Sequence, residues 1–144
     1  MSEQITVYEK PTCTTCRNLA VLLRDNGIDY DKVNYFIDEL SEEKLRGLLK
    51  KAGLTPFEVL RTKDPMIKDL GISAETPPDE IIKLIIENPG ILQRPIVEIG
   101  DRAVLARPIE KALELIGKQS RRKKHSIIVI KYEFYKRKWK RASA

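Results

Sequence analysis

The spacing of apolar positions along the chain switches between two residues and three to four residues, which separates predicted strands from predicted helices. The first residues alternate, and this predicts a buried strand at residues 4–8. Leucines at helical spacing then predict a helix from about Thr14 to Asn26, with Gly27 ending it. A weaker alternation predicts a second strand at residues 28–35, so the chain begins as a β-α-β unit.

Helical spacing continues through the middle of the chain, where a helical insert is predicted at about residues 41–90. Its first helix follows Ser41, in a sequence typical of a capped start, and extends to Gly53. Three more helices are each expected to begin near a proline, because proline suits a first helical turn. They span residues 56–60, 65–70 and 78–87.

Alternation returns after the insert and predicts a β-hairpin, with strands at residues 96–99 and 103–106 joined by a tight turn. A last helix is predicted from Pro108 to Gly117. The predicted order is therefore β-α-β, helical insert, β-β-α. This is the order of a thioredoxin-like α/β fold, in which four strands form one mixed sheet.

Length, cysteine content and hydropathy indicate one domain, at about residues 1–118, in a reducing compartment. Two cysteines are too few for the disulfide framework of a secreted protein. The N-terminal residues do not combine a basic region with an apolar segment, so no signal peptide is predicted. No apolar run approaches the length that spans a membrane, and a cytoplasmic location is expected.

Positive charge is concentrated in a C-terminal tail, residues 119–144. The net charge is +6, but residues 121–144 carry ten Lys or Arg side chains against Glu133 alone, so the preceding residues are mildly acidic. Four of the nine aromatic residues also lie there. The tail is interpreted as an apolar segment with a solvated basic tip, or as a basic, aromatic surface for nucleic acid, an acidic protein or an anionic membrane.

The strongest candidate for chemistry is the Cys-x-x-Cys sequence between the first strand and the first helix. Pro11 is expected to end the strand, and a nearby threonine is expected to cap the helix: Thr12, Thr14 or Thr15. Cys13 would then lie at the helix N-terminus, where backbone N–H groups and the helix dipole stabilise a thiolate. Cys16 lies one turn further along and is the natural resolving thiol.

Structural burial and half of a zinc site are the two other interpretations of this cysteine pair. Zinc would need two further ligands, and the chain holds no third cysteine and one histidine, His125, beside a basic run. Redox chemistry by Cys13 and Cys16 is the preferred interpretation, and no metal site is predicted.

Three arginines lie at predicted element boundaries, where side chains can converge on a site. They are Arg61, Arg94 and Arg107. Arginine suits a tetrahedral oxyanion because its planar guanidinium donates two parallel hydrogen bonds and keeps its charge. The same charges would hold a nearby Cys13 as its thiolate. Each arginine alone is typical of a solvated surface, and their recurrence at boundaries favours a shared site.

Four short motifs, in this order and spacing, resemble the glutaredoxin-linked arsenate reductase family. They are Lys-Pro-Thr-Cys at 10–13, Leu-Arg-Thr-Lys at 60–63, Gln-Arg-Pro-Ile-Val at 93–97 and Leu-Ala-Arg-Pro at 105–108. The resemblance covers about residues 3–117. It is shared with the Spx-type regulators and with other arsenate-reductase-like proteins of the same fold.

The resemblance implies a mechanism centred on Cys13. Its thiolate would attack arsenate held by the three arginines, glutathione would attack the adduct as co-substrate, and glutaredoxin would complete reduction to arsenite. Asn18 and the backbone amides of Thr14 and Thr15 would support the oxyanion. Pro95 would follow a cis peptide bond beside the nucleophile, although the start of an edge strand would also explain a proline there. No bound cofactor is implied.

Cys16 departs from the pattern of these reductases, which usually carry serine at that position. The Cys-x-x-Cys form resembles the Spx regulators, whose disulfide switches binding to RNA polymerase, and the basic tail would then contact polymerase or nucleic acid. Those regulators typically lack an arginine like Arg107, which favours the enzyme. The Cys13 adduct could also be resolved as a Cys13–Cys16 disulfide that thioredoxin or glutaredoxin reduces. A thiol oxidoreductase with another substrate is the third alternative.

Overall fold

A sheet and its flanking helices make up the described part of the chain. The computed structural model describes residues 4–119, so the basic tail is outside it from residue 120 onward. Within these residues the elements in chain order are β1 (Ile5–Glu9), α1 (Thr14–Asp25), β2 (Asp31–Asn34), α2 (Glu42–Ala52), α3 (Pro65–Asp69), α4 (Pro78–Glu87), a 3-10 helix (Pro89–Ile91), β3 (Ile96–Ile99), β4 (Arg102–Leu105) and α5 (Glu110–Gln119). No helix among them is long and apolar enough to cross a membrane.

One mixed sheet of four strands organises the described fold, in the order β2-β1-β3-β4. β1 runs parallel to β2 and antiparallel to β3, and β3 and β4 form a hairpin. Val7 stands opposite Val97, which in turn stands opposite Val104. The mixed four-stranded sheet and the element order predicted from the sequence are confirmed.

Both faces of the sheet are covered, because neighbouring residues of its central strands point to opposite sides and both are buried. Val7 points to the face covered by α1 and α5, where it belongs to one cluster with Leu19 and Leu113. The adjacent Tyr8 belongs to the cluster on the other face, with Leu48 of α2. Each fully buried leucine contributes about 1.5–3 kcal/mol, so the end of β1 is fixed from both sides.

Residues 56–60 form a turn and an isolated bridge, and the helix predicted there is wrong. Leu60 pairs with Leu92, and the N–H of Arg61 donates to the carbonyl of Ile91 at 2.8 Å. These bonds to a distant segment replace the bonds that a helix would need. They also fix the backbone that carries Arg61.

Most element boundaries lie within one or two residues of the predictions, and the bounds of β2 and the end of α5 show why they differ. β2 begins three residues later and ends one residue earlier than predicted. It ends early because the side-chain oxygen of Asn34 accepts a hydrogen bond from the N–H of Phe36 at 3.1 Å, which closes a turn. α5 continues two residues past Gly117, which does not adopt the left-handed backbone that ends a helix.

Candidate active site

A cavity of about 330 Å³ lies where β1 ends and α1 begins. Its lining comes from the start of α1 and the loop before it, from the segment after residue 60, and from both ends of the β3–β4 hairpin. The lining residues are Lys10, Thr12, Cys13, Thr14, Thr15, Arg61, Arg94 and Arg107. The cavity thus brings Cys13 together with all three predicted arginines, and no carboxylate of residues 4–119 lines it.

Cys13 is the N-cap residue of α1, with extended backbone at φ −77° and ψ 125°. Its N–H donates to the carbonyl of Lys10 at 3.0 Å, which closes the loop in front of the helix. The predicted cap by Thr12, Thr14 or Thr15 is therefore wrong. Within the described residues no side chain caps this helix, so its first N–H groups are left to face the Cys13 sulfur.

The surroundings of Cys13 favour its thiolate. Burial alone would raise the pKa of the thiol, but hydrogen bonds outweigh that effect and the pKa is lowered. The sulfur accepts from the backbone N–H groups of Cys16 and Thr15, from the Cys16 thiol and from the Arg94 guanidinium. Because the thiolate is the nucleophilic form of cysteine, the cavity contains an activated nucleophile.

Cys16 is a buried thiol one helical turn beyond Cys13. It is 1% exposed, and burial raises its pKa to about 12, with the hydrogen bond to Cys13 and the charge of Cys13 adding to the effect. Cys16 therefore keeps its proton and donates it in a hydrogen bond to the Cys13 sulfur. Both cysteines are unlinked, so this is the reduced state of the pair.

Arg94 lies beneath the cavity as a nearly buried cation. It is 6% exposed, and its Nη1 donates to the carbonyls of Gly90 at 3.2 Å and Leu92 at 3.3 Å. The guanidinium also lies 5.5 Å from the centre of the Phe36 ring and hydrogen-bonds the Cys13 sulfur. These contacts hold one fixed positive charge directly against the nucleophile.

Arg61 and Arg107 extend the cationic lining from more exposed positions. Arg107 Nη1 donates to the carbonyl of Arg94 at 3.0 Å. Arg94 and Arg107 each precede a cis proline, so the cis bond before Pro95 that the resemblance implies is confirmed. The N–H of Ala106 donates to the carbonyl of Pro95 at 2.9 Å. The two loops that carry these arginines are thus bonded to each other.

Comparison with known protein families matches this chain to one family. The family model described as the ArsC family matches residues 8–115. The chain belongs to the ArsC family. The match begins in β1 and ends in α5, so it includes every residue that lines the ArsC-family cavity described above.

Relatives of this ArsC-family chain include proteins named as reductases and proteins named as regulators. The arsenate reductase of Haemophilus influenzae is 32% identical over 114 residues, which is 78% of this chain and 98% of that protein. The global transcriptional regulator Spx 1 of Bacillus cereus is 33% identical over 94 residues, which is 65% of this chain and 72% of that protein. The solved arsenate reductase from Vibrio cholerae has a TM-score of 0.74 at 28% identity, covering 79% of this chain and 98% of that one. The predicted thioredoxin-like α/β fold is confirmed.

Two lining residues of the ArsC-family site, Lys10 and Thr12, were not among the predicted site residues. Lys10 Nζ lies 4.8 Å from the centre of the Phe36 ring and adds a fourth cation to the cavity. In the described chain, neither Lys10 nor the three arginines form a salt bridge. The available signal was the position of Lys10 in the motif that ends at Cys13.

Of the predicted supporting residues on α1, two line the cavity and one does not. Thr14 and Thr15 line the cavity, and the N–H of Thr15 already points to the Cys13 sulfur. Asn18 lies further along α1 and is not among the described residues that line the cavity, so its part in binding an oxyanion stays a prediction. No group of three His, Cys, Asp or Glu side chains in the described part of the chain could hold a metal ion.

Proposed function

We propose that this ArsC-family protein reduces arsenate, or a related oxyanion, to arsenite through a covalent adduct on Cys13. The observation that carries the proposal is the cavity itself, where an activated thiol lies among four cationic side chains and no described carboxylate lines the wall. A tetrahedral oxyanion supplies the negative charge that this lining lacks. The relative named arsenate reductase supports the same substrate class.

The reaction needs two steps. In the first, Cys13 Sγ bonds to arsenic while one arsenate oxygen leaves as water, and the guanidinium groups balance the charge on the remaining oxygens. In the second, a thiol attacks Cys13 Sγ, the sulfur–arsenic bond breaks, and its electron pair stays on arsenic. Two thiols are oxidised to one disulfide as As(V) becomes As(III).

Two sources of the second thiol fit the site. Glutathione would reach Cys13 through the cavity, and glutaredoxin would then reduce the mixed disulfide. Cys16 needs no access from solvent, because it already donates a hydrogen bond to Cys13. The resulting Cys13–Cys16 disulfide would be reduced by thioredoxin or glutaredoxin. Either route suits a reducing cytoplasm, where we propose that the protein acts.

A redox-switched regulator is the second candidate function, and the hydrogen bond between the thiols of Cys13 and Cys16 favours it, because it holds the two sulfurs close together. Similarity to a relative named global transcriptional regulator supports this role. A Cys13–Cys16 disulfide would then switch binding to RNA polymerase. The basic tail, which lies outside the described residues, would contact polymerase or nucleic acid. The presence of Arg107 in the cavity favours the enzyme over this role.

Arsenate-dependent NADPH oxidation by the purified protein tests the enzyme. It is measured with glutathione, glutaredoxin and glutathione reductase, and separately with thioredoxin and its reductase. We expect turnover in at least one system, complete loss in Cys13→Ser, and a loss of about 100-fold or more in Arg107→Ala. Arg102→Ala, which removes a guanidinium from β4 outside the cavity lining, is the matched control.

Two results would contradict the proposal. Full activity in Arg107→Ala would reject the three-arginine site. A folded wild-type protein that turns over arsenate in neither system would reject the enzyme. In that case the regulator is tested by comparing RNA polymerase binding by the reduced and the oxidised protein.

A further inference from the structure

Phe36, two residues after β2, contacts two cations of the cavity with one ring. Lys10 Nζ lies 4.8 Å from the centre of the ring, and the central guanidinium carbon of Arg94 lies 5.5 Å from it. Both distances are within the range of cation–π attraction, which extends to about 6 Å. Phe36 itself is not among the residues that line the cavity, so it acts on a bound ligand through these two side chains.

Backbone and stacking contacts hold this ring in place. The N–H of Phe36 donates to the side-chain oxygen of Asn34 at 3.1 Å. The ring stacks on that of Tyr35, with the two ring centres 4.9 Å apart and the planes inclined by 30°. Tyr35 is buried, and it anchors the stack in the core. Because the ring is already ordered, its contacts with the two cations cost little further entropy.

The carbonyl of Leu92 joins the two aromatic residues to Arg94. It accepts from the Tyr35 hydroxyl at 3.3 Å and from Arg94 Nη1, also at 3.3 Å. The Arg94 guanidinium hydrogen-bonds the Tyr35 hydroxyl as well. Tyr35, Phe36 and Arg94 therefore form one connected cluster. A change in the Phe36 ring would be felt by the guanidinium that contacts the Cys13 sulfur.

A second cation–ring contact of the described chain shows how Phe36 differs. Lys44 Nζ lies 5.5 Å from the centre of the Tyr8 ring, but the same ammonium group pairs with Glu98 at 3.0 Å. The two cations beside Phe36 form no salt bridge within residues 4–119. Of the described rings, Phe36 is the one that contacts two cations.

An aromatic ring can do at this position what a carboxylate could not. The ring face carries partial negative charge and attracts cations, yet it adds no net charge to the site. A carboxylate would hold the same two cations, but it would neutralise them, repel the Cys13 thiolate and compete with an anionic ligand. The Phe36 ring holds two like charges near each other and leaves their full charge to act in the cavity.

We propose that Phe36 is a positioning residue, which holds Lys10 and Arg94 at the cavity wall without neutralising them. Through these two cations it strengthens the binding of a tetrahedral oxyanion and keeps Cys13 nucleophilic. This role rests on the proposed function for the identity of the oxyanion. Its effect on the Cys13 sulfur does not depend on the oxyanion, so the two can fail separately.

Fluorinated phenylalanines at position 36 test the role of the ring. Each fluorine withdraws electrons and weakens the attraction of the ring face for cations, while the ring keeps nearly the same shape. Phenylalanines with one, two and three ring fluorines, introduced by stop-codon suppression, form a graded series. The rate of Cys13 alkylation by iodoacetamide in mildly acidic buffer reports how much of the thiol is thiolate. The same rate with added arsenate reports how well this anion protects the site.

We expect the alkylation rate to fall stepwise along the series, by about fivefold with three fluorines. The arsenate concentration that gives half protection should rise by a similar factor. Phe36→Leu removes the ring and should lose at least as much as the trifluorinated side chain, whereas Phe36→Tyr keeps the ring and should stay near the wild type.

Phe57 provides the matched control. It is another partly buried phenylalanine of the same core cluster, it does not line the cavity, and it is not among the described rings that contact a cation. Three fluorines at position 57 should therefore change neither the alkylation rate nor the protection by arsenate.

Three results would overturn the proposal. Equal rates along the fluorinated series would mean that the ring acts through its shape alone, even where Phe36→Leu is slower. A rising rate would mean that the ring competes with the Cys13 sulfur for Arg94. An equal loss at Phe57 would mean a general effect of fluorine on the fold.

The fluorinated series decides alone if Phe36→Leu does not fold, because it preserves the shape of the side chain. A wild-type protein that arsenate does not protect would reject the proposed oxyanion. The alkylation rates without arsenate would still support or overturn the role of Phe36, because that measurement contains no oxyanion substrate.

Discussion

Two polar cavities of the described fold have nearly the same volume, about 330 Å³ beside Cys13 and about 350 Å³ beside α2, but opposite arrangements of charge. In the cavity beside α2, the ammonium groups of Lys44 and Lys51 both donate to Glu98. Glu43 also lines this cavity, so two carboxylates match the two ammonium groups. The cavity beside Cys13 contains four cations, and no carboxylate of residues 4–119 forms an ion pair with any of them.

The two cavities are alike in volume and each is lined by four charged side chains besides Cys13, so the balance of charge is what distinguishes them. Like charges held close together repel one another, and partial burial strengthens that repulsion. An anionic ligand removes it, as Glu98 does in the other cavity. The predictions below test whether the two cavities differ in this way.

Among the variants that compare the two cavities, Arg94→Ala should have the largest effect, because this buried guanidinium hydrogen-bonds the Cys13 sulfur. We expect arsenate-dependent turnover to fall by about 100-fold or more and the pKa of Cys13 to rise. The coupled assay and the ultraviolet absorbance of the thiolate against pH measure the two changes. Lys44→Ala, from the balanced cavity, is the control. Equal losses in both variants would remove the distinction between the cavities.

Glu98→Gln should change stability and leave turnover intact. Burial alone would raise the pKa of Glu98, but hydrogen bonds from Lys51, Lys44 and Tyr8 outweigh it and the pKa is lowered. A carboxyl with a lowered pKa contributes stability at a pH above its ordinary value, and that contribution is lost as the pH falls through the lowered pKa.

We therefore expect Glu98→Gln to lower the free energy of unfolding by about 1–2 kcal/mol near neutral pH, a value reduced because the two lysines are partly exposed. The difference from the wild type should shrink in acid. Urea unfolding at several pH values measures both effects. A difference that stays constant into acid would mean that the charge of Glu98 is not what stabilises the cluster.

A carboxylate introduced at Thr12 would convert the unbalanced cavity into a more balanced one. Thr12 is exposed and lines the cavity, so the new side chain has room. Thr12→Asp should raise the KM for arsenate by about tenfold, because the carboxylate competes for the cations. Thr12→Asn has nearly the same shape without the charge and should keep the wild-type KM. Similar increases in both variants would point to lost space and not to charge.

Cys16→Ala should have the smallest effect on Cys13, because it removes one hydrogen-bond donor among several. The rate of Cys13 alkylation by iodoacetamide in mildly acidic buffer should fall by about threefold, as the pKa of Cys13 rises. Cys16→Ser keeps a donor and should stay closer to the wild type. An unchanged alkylation profile in Cys16→Ala would show that the other donors suffice.

The parts of the fold that could be predicted have local signals. Alternation indicates the strands, and Pro11 followed by leucines at helical spacing indicates that α1 begins near Cys13. The structure of residues 56–60 had no such signal, because the bridge between Leu60 and Leu92 joins distant segments. A proline that suits the start of a helix also suits a turn.

The sequence predicts which residues form the site better than it predicts how deeply each of them is buried. Arg61, Arg94 and Arg107 are all boundary residues in the sequence, and only the fold shows that Arg94 is the buried one. Lys10 was visible as part of the cysteine motif.

The main chain, and not the side chain, holds Arg61 in place. Its N–H donates to Ile91, and the N–H of Gln93 donates in return to Val59. Within residues 4–119 the guanidinium of Arg61 has no hydrogen bond of its own. The group at position 61 can therefore be exchanged while the backbone stays where it is. For an engineer who wants this scaffold to accept an anion of different size or charge, position 61 is the first to randomise.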